Sequence, residues 1–113
     1  MLADDDEGFR EYVADALRTH GHDVVSAADG EEAWTLFRTE SFDSVITDFR
    51  MPRLDGVTLA QRIREHSSVP ILIDTSDTAG ARAAGAASIS FTTVLSPDDL
   101  LKVLFSLLVT PSA

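Results

Sequence analysis

The sequence has no cysteine, no asparagine, one tryptophan, one tyrosine and a single lysine, Lys102. Without cysteine there are no disulfides, no thiolate metal sites and no cysteine nucleophile. Without asparagine there is no Asn-x-Ser/Thr acceptor for N-glycosylation. Basic residues are scarce: nine Lys and Arg stand against nineteen Asp and Glu, a formal net charge of −10. Binding to duplex nucleic acid or to an anionic membrane needs clustered Lys and Arg, so neither is an expected partner. Long apolar runs are missing as well. The most apolar window, Leu100 to Val109, contains Lys102 and is about half the roughly 20 residues of a membrane span. The first residues are acidic, which gives no sign of a signal peptide. With 113 residues, against about 150 for an ordinary domain, the chain is expected to be one cytoplasmic domain, 1–113.

What is present is an alternation of short apolar runs and helical patterns. Leu2-Ala3 leads into acids, and Val24-Val25, Ser44 to Thr47, Ile71 to Ile73 and Ser88 to Phe91 are strand-length runs rich in β-branched residues. Phe9, Val13, Ala16 and Leu17 follow a helical spacing, with Gly21 placed for a left-handed cap. Asp29-Gly30-Glu31-Glu32 reads as an N-cap with an acid three residues on, ahead of Ala33, Leu36 and Phe37. Leu59 and Ile63 mark a helix after Asp55-Gly56, and Ser96-Pro97-Asp98-Asp99 is another helix start. Strand and helix in repeated alternation imply an α/β fold: parallel strands, right-handed crossovers and helices on both faces of a doubly wound sheet. Ligands of such sheets sit beyond the carboxyl ends of the strands.

Those ends carry acids. Strand one runs into Asp4-Asp5-Asp6-Glu7, strand three into Asp48, and strand four into Thr75-Ser76. Taken alone, Asp4 to Glu7 is explained by helix capping and dipole complementation. Asp48 is not, because it puts a charge directly after the apolar run Val45-Ile46-Thr47, and an unpaired buried charge is costly. Clustered carboxylates raise one another's pKa unless a cation joins them. Oxygen ligands of this kind suit Mg²⁺ or Mn²⁺, and a carboxylate beside the metal can act as nucleophile toward a phosphoryl group.

Leu2 to Asp6, the stretch Val45-Ile46-Thr47-Asp48-Phe49-Arg50-Met51-Pro52-Arg53-Leu54-Asp55-Gly56, Pro70 to Ser76 and Ala84-Gly85-Ala86 together resemble the receiver domain of bacterial two-component response regulators. The resemblance covers essentially the whole chain, and its Asp-x-x-Met-Pro-x-x-Asp-Gly segment is specific. It implies a flavodoxin-like five-stranded parallel sheet of order 2-1-3-4-5, and a signalling domain rather than an enzyme. It also implies that Asp48 accepts a phosphoryl group from a sensor histidine kinase, a phosphotransfer protein or a small phosphodonor. Asp5, Asp48 and the backbone carbonyl of Arg50 would hold Mg²⁺ (or Mn²⁺), with Asp4 acting mostly through water. Thr75 matches the switch hydroxyl, and Pro52 and Gly56 shape the loop after the acceptor.

The chain also departs from that family. The Lys-Pro pair that usually follows strand five falls on Thr92-Thr93, and Lys102 lies too far along the last helix to replace the lysine. A unit charge about 4 Å away at an effective dielectric near 20 is worth about 4 kcal/mol, so its loss matters. Without proline at position 93 a trans bond is expected there. Ile89 stands where an aromatic is usual, helix four (Ala79 to Ala84) is shortened, and strand one is short by a few residues. Asp74 places a charge where strand four normally stays apolar; it is expected to be a strand-end carboxylate reaching solvent or a backbone N–H. Arg50 is expected to be solvated.

The last helix, Leu100 to Val109, is apolar nearly all round, and a homodimer through strand five and this helix would cover it. His20-Gly21-His22 reads as a helix end rather than a metal site, His66 as a surface residue, and Trp34 and Phe37 as core and half-exposed packing. Two other functions compete with the phosphoacceptor. One is a degenerate receiver acting as a phosphorylation-independent interaction or dimerisation module. The other is a Mg²⁺-dependent phosphohydrolase of the haloacid dehalogenase type, which would need a second aspartate where Arg50 stands.

Overall fold

The computed structural model describes residues 1–75, 90–92 and 102. Within them the order is β1 (Leu2–Ala3), α1 (Glu7–Thr19), β2 (Ser26–Ala27), α2 (Gly30–Thr39), β3 (Val45–Asp48), α3 (Gly56–Arg64), β4 (Ile71–Asp74) and β5 (Ser90–Thr92). All neighbouring strands pair in parallel. The sheet order is β2-β1-β3-β4-β5, as the resemblance implies.

Alternation along the strands sorts the core into two layers. Leu2, Ile46 and Leu72 lie on one face and pack with Val13, Ala14 and Leu17 of α1. Ala3, Val45, Ile71 and Ile73 lie on the other face, among Ala33 of α2 and Val57, Leu59, Ala60 and Ile63 of α3. Successive strand residues point to opposite faces, so a strand buried on both sides reads as a continuous apolar run, as Ile71-Leu72-Ile73 does.

Each described helix opens on an aspartate that closes its first turn. The side chain of Asp6 accepts from the Phe9 N–H at 2.9 Å, Asp29 from Glu32 at 2.8 Å and Asp55 from Thr58 at 2.8 Å. At the far end of α1, Gly21 adopts φ +90°. The His22 N–H donates to the Leu17 carbonyl and the Gly21 N–H to the Arg18 carbonyl, at 3.1 and 3.0 Å. This pair of bonds is the Schellman cap that a glycine at this position permits.

Several elements differ from expectation. The paired part of strand two is Ser26–Ala27, not Val24-Val25. The two-residue β1 reaches only that far, and Val24 packs instead beside the α1 layer. The buried stripe of α1 is Val13, Ala14 and Leu17, with Ala16 only half-buried. Strand five, Ser90–Thr92 among the described residues, contains Ser90 and Phe91 of the expected run and extends to Thr92, while Ser88 and Ile89 lie outside those residues. Ile89, Thr93, helix four, Ser96 to Asp99 and the last helix apart from Lys102 lie outside the described residues. Lys102 itself is helical and exposed.

Trp34 and Phe37 are half-buried, their rings stacked with centroids 6.3 Å apart. His66 is exposed as expected, yet its ring lies 5.8 Å from that of Trp34. The His20 ring pairs with the Ala16 carbonyl at 2.9 Å, a helix-end contact.

Two helices begin with Asp-Gly, and in each the glycine is a point of close approach. A Cβ on Gly30 would lie 1.9 Å from the Leu54 carbonyl oxygen and 2.6 Å from the Leu54 Cβ. On helix propensity alone, Gly30→Ala would stabilise by up to about 1 kcal/mol. The clash reverses the sign: the variant is expected to be destabilised by about 1–3 kcal/mol, read as a lower urea midpoint with an unchanged slope.

Candidate functional site

The layer sorting carries directly into the site. Leu2, Ile46 and Leu72 share the α1 face, and two residues after each stands an aspartate: Asp4, Asp48 and Asp74. The period of two puts all three carboxylates on the same side of the sheet at its carboxyl edge. Asp48 and Asp74 are direct register partners on strands about 4.8 Å apart.

Carboxylate oxygens of Asp4, Asp5 and Asp48 lie within 4.8 Å of one another, with Asp4 buried, Asp48 half-buried and Asp5 exposed. The acidic run at the start of α1 therefore divides its labour. Asp6 caps the helix, while Asp4 and Asp5 turn toward Asp48. Asp4 is held in place by the Asp6 N–H, which donates to its Oδ1 at 2.9 Å. The Asp48 Oδ1 accepts from the Phe49 N–H at 2.8 Å.

Burial and like charge push these groups up. Asp48 rises from 3.8 to about 6; burial contributes most, followed by Asp4, while the Phe49 N–H opposes the rise and Asp5 and Asp74 add to it. Asp4 is raised chiefly by burial, against the Asp6 N–H, with Asp5, Asp6 and Asp74 adding to the rise. The neighbouring carboxylates that raise this pair are Asp5 and Asp74 for both, with Asp6 acting on Asp4. A divalent cation with oxygen preference fits such a set, because it removes the repulsion that the backbone enforces.

The loop after Asp48 is clamped. A Cβ on Gly56 would stand 2.1 Å from the Asp48 carbonyl oxygen, and the Gly56 N–H donates to the Phe49 carbonyl at 2.7 Å. Within the loop, Arg53 takes φ 72° and its Nε lies 3.9 Å from Asp29. The Arg50 guanidinium lies over the Phe49 ring, 4.9 Å from its centroid, and Arg50 is exposed. Thr75 follows β4 immediately and is 8% exposed.

The structure thus brings Asp4, Asp5 and Asp48 together, sets Thr75 at the same edge and gives Arg50 a ring contact. Two participants were not assigned to the site from sequence. Asp74 was expected to reach solvent or a backbone N–H; it is half-buried beside Asp48 and acts electrostatically on both Asp4 and Asp48. The apolar-x-Asp repeat in three strands was the signal for it. The Arg10 guanidinium, which donates to the Asp4 carbonyl at 2.8 Å, had no signal beyond lying one turn into α1.

Comparison with known proteins fits this geometry. The response regulator receiver domain model matches residues 1–99. The chain belongs to that family. The "probable transcriptional regulator ycf27" of Porphyridium aerugineum is 41% identical over 73 residues, which are 65% of this chain and 30% of that protein. The match therefore spans under a third of the length of such curated relatives. Among solved structures, the chemotaxis response regulator CheY4 of Vibrio cholerae is 30% identical with a TM-score of 0.81, covering 94% of each chain. The response regulator TrrA of Thermotoga maritima, solved in complex with Mg(2+)-BeF, is 25% identical with a TM-score of 0.83, covering 94% of this chain and 95% of that one. Among the described residues, no helix is long and apolar enough to cross a membrane.

The raised Asp48 gives stability a definite pH dependence. Its folded-state pKa of about 6 lies above the 3.8 of the unfolded chain, so the folded state holds more protons between those values. Its contribution is fully present below pH 3.8 and is lost as the pH rises through about 6. Discounted for partial exposure, the effect is about 1–2 kcal/mol. Asp48→Asn is expected to stabilise the metal-free protein at pH 7.5 by that amount and to flatten this part of the pH profile. Chemical denaturation across pH 4–8 checks both.

Proposed function

We propose that this chain is a phosphoacceptor receiver domain in two-component phosphorelay signalling, with Asp48 taking the phosphoryl group. The observation that carries the reading is the convergence of Asp4, Asp5 and Asp48 within 4.8 Å in a chain of the receiver family. Asp4, Asp5, Asp48 and the backbone carbonyl of Arg50 would hold Mg²⁺ or Mn²⁺. When bound, the cation offsets the negative charge that gathers during phosphoryl transfer.

The rest falls to the chain's own groups. The Phe49 N–H fixes one Asp48 oxygen at 2.8 Å, which orients the carboxylate for in-line attack. A carboxylate oxygen of Asp48 forms the new bond to phosphorus. The bond from phosphorus to the donor, an imidazole nitrogen of a histidine kinase or phosphotransfer protein or the oxygen of a small acyl phosphate, breaks and leaves with its electron pair. The close fit of Gly56 against the Asp48 carbonyl keeps the acceptor's backbone from retreating. Thr75 is the candidate switch hydroxyl at the same edge. In this reading residues 1–113 form a single receiver domain that acts in the cytoplasm through protein contacts.

A second reading is a phosphorylation-independent interaction module. One observation favours it: the chain's single lysine, Lys102, is exposed on a helix, and β5 ends in Thr92. Incubation with acetyl phosphate and Mg²⁺, followed by intact-mass measurement, separates the two. The phosphoacceptor reading expects a single phosphoryl adduct that is absent from Asp48→Asn. No adduct on either protein, with no beryllofluoride binding, would leave the second reading.

A further inference from the structure

Asp74 has no place in the chemistry described so far, although it stands beside the acceptor. It is the register partner of Asp48, one strand spacing away, and ends the apolar row begun by Leu72 on the same face. It is half-buried, and its charge acts on Asp4 as well as on Asp48. The next strand continues the line with Thr92, the register partner of Asp74. Across β3, β4 and β5 the carboxyl edge therefore reads aspartate, aspartate, threonine.

We infer that Asp74 is a specificity-determining residue of this site: it strengthens the binding of a divalent cation and opposes the entry of the anionic phosphodonor. The inference rests on the phosphoacceptor reading and deepens it. A fixed negative charge beside a cation site and a phosphoryl site acts on them with opposite signs. With Asp4, Asp5 and Asp48 already negative, the fourth carboxylate makes the metal-free rim hostile to a phosphate ester or acyl phosphate. Phosphorylation of Asp48 then follows cation binding more strictly than three carboxylates would impose. Asp74 touches neither the bond that forms from the Asp48 oxygen to phosphorus nor the bond that breaks to release acetate with its electron pair. It sets the concentration at which each ion is held.

The test uses the full chain with Asp74→Asn and Asp74→Glu beside the wild type. Mg²⁺ affinity is measured by calorimetry, and acetyl phosphate dependence is measured by intact mass at saturating Mg²⁺. Asp74→Asn is expected to weaken Mg²⁺ binding about three- to tenfold. It is expected to lower the acetyl phosphate concentration for half-maximal rate by a similar factor, with the rate at saturating donor changed little. Asp74→Glu, which keeps the charge, is expected to restore both values toward wild type.

Opposed shifts in the two affinities are the signature, because a merely loosened site would weaken both. Weakening of both ions, no change in either, or no rescue by glutamate overturns the inference while leaving the phosphoacceptor reading intact. A wild-type chain that binds no Mg²⁺ and takes no phosphoryl group overturns that reading and this inference together.

Discussion

The carboxylates of Asp4, Asp5 and Asp48 converge within 4.8 Å, and for Asp4 and Asp48 the backbone sets the approach. Asp4 directly follows a strand whose two residues are locked between β2 and β3, and Asp48 ends a strand flanked by β1 and β4. Separating the charges would mean breaking ladder hydrogen bonds or withdrawing Leu2 and Ile46 from the layer against α1. The apolar core thus holds the repulsion in place, and the raised Asp48, at about 6, reflects burial first and the neighbouring Asp4 second. A site built this way is ready for a cation before one arrives, at some cost in the stability of the metal-free protein.

Much of this could be read from the residues. The run of β-branched residues ending in Asp48, the Asp-Gly helix starts and the glycine after α1 are local signals, and local physics decides them. The N-cap bonds of Asp29 and Asp55 need only four residues of sequence. The convergence of Asp4 with Asp48 is not local, and spacing alone could not give it. It followed from the topology that the strand and helix alternation implied.

What stayed illegible depends on contacts between elements. The offset of β2 from Val24-Val25 to Ser26–Ala27 is set by how far β1 extends, which no propensity of the valines reports. Nothing in β4 by itself says that Asp74 stands opposite Asp48; only the register of the two strands does. The tilted ring contact of His66 with Trp34 likewise joins the end of α3 to α2, and neither residue announces the other.

The two Asp-Gly helix starts have a consequence for how this chain could be recombined with its relatives. The Asp48 carbonyl is held against Gly56 and the Leu54 carbonyl against Gly30, so the intervening segment is fastened at both ends to helices of fixed position. Its exposed residues Arg50, Pro52 and Arg53 are open to exchange, but its buried Met51 and Leu54 and its residue count are not. A chimaera that takes this segment from a homologue must import both glycines with it, together with their capping aspartates. The transplantable unit is therefore the whole block from Asp29 to Gly56, and crossover points belong outside it.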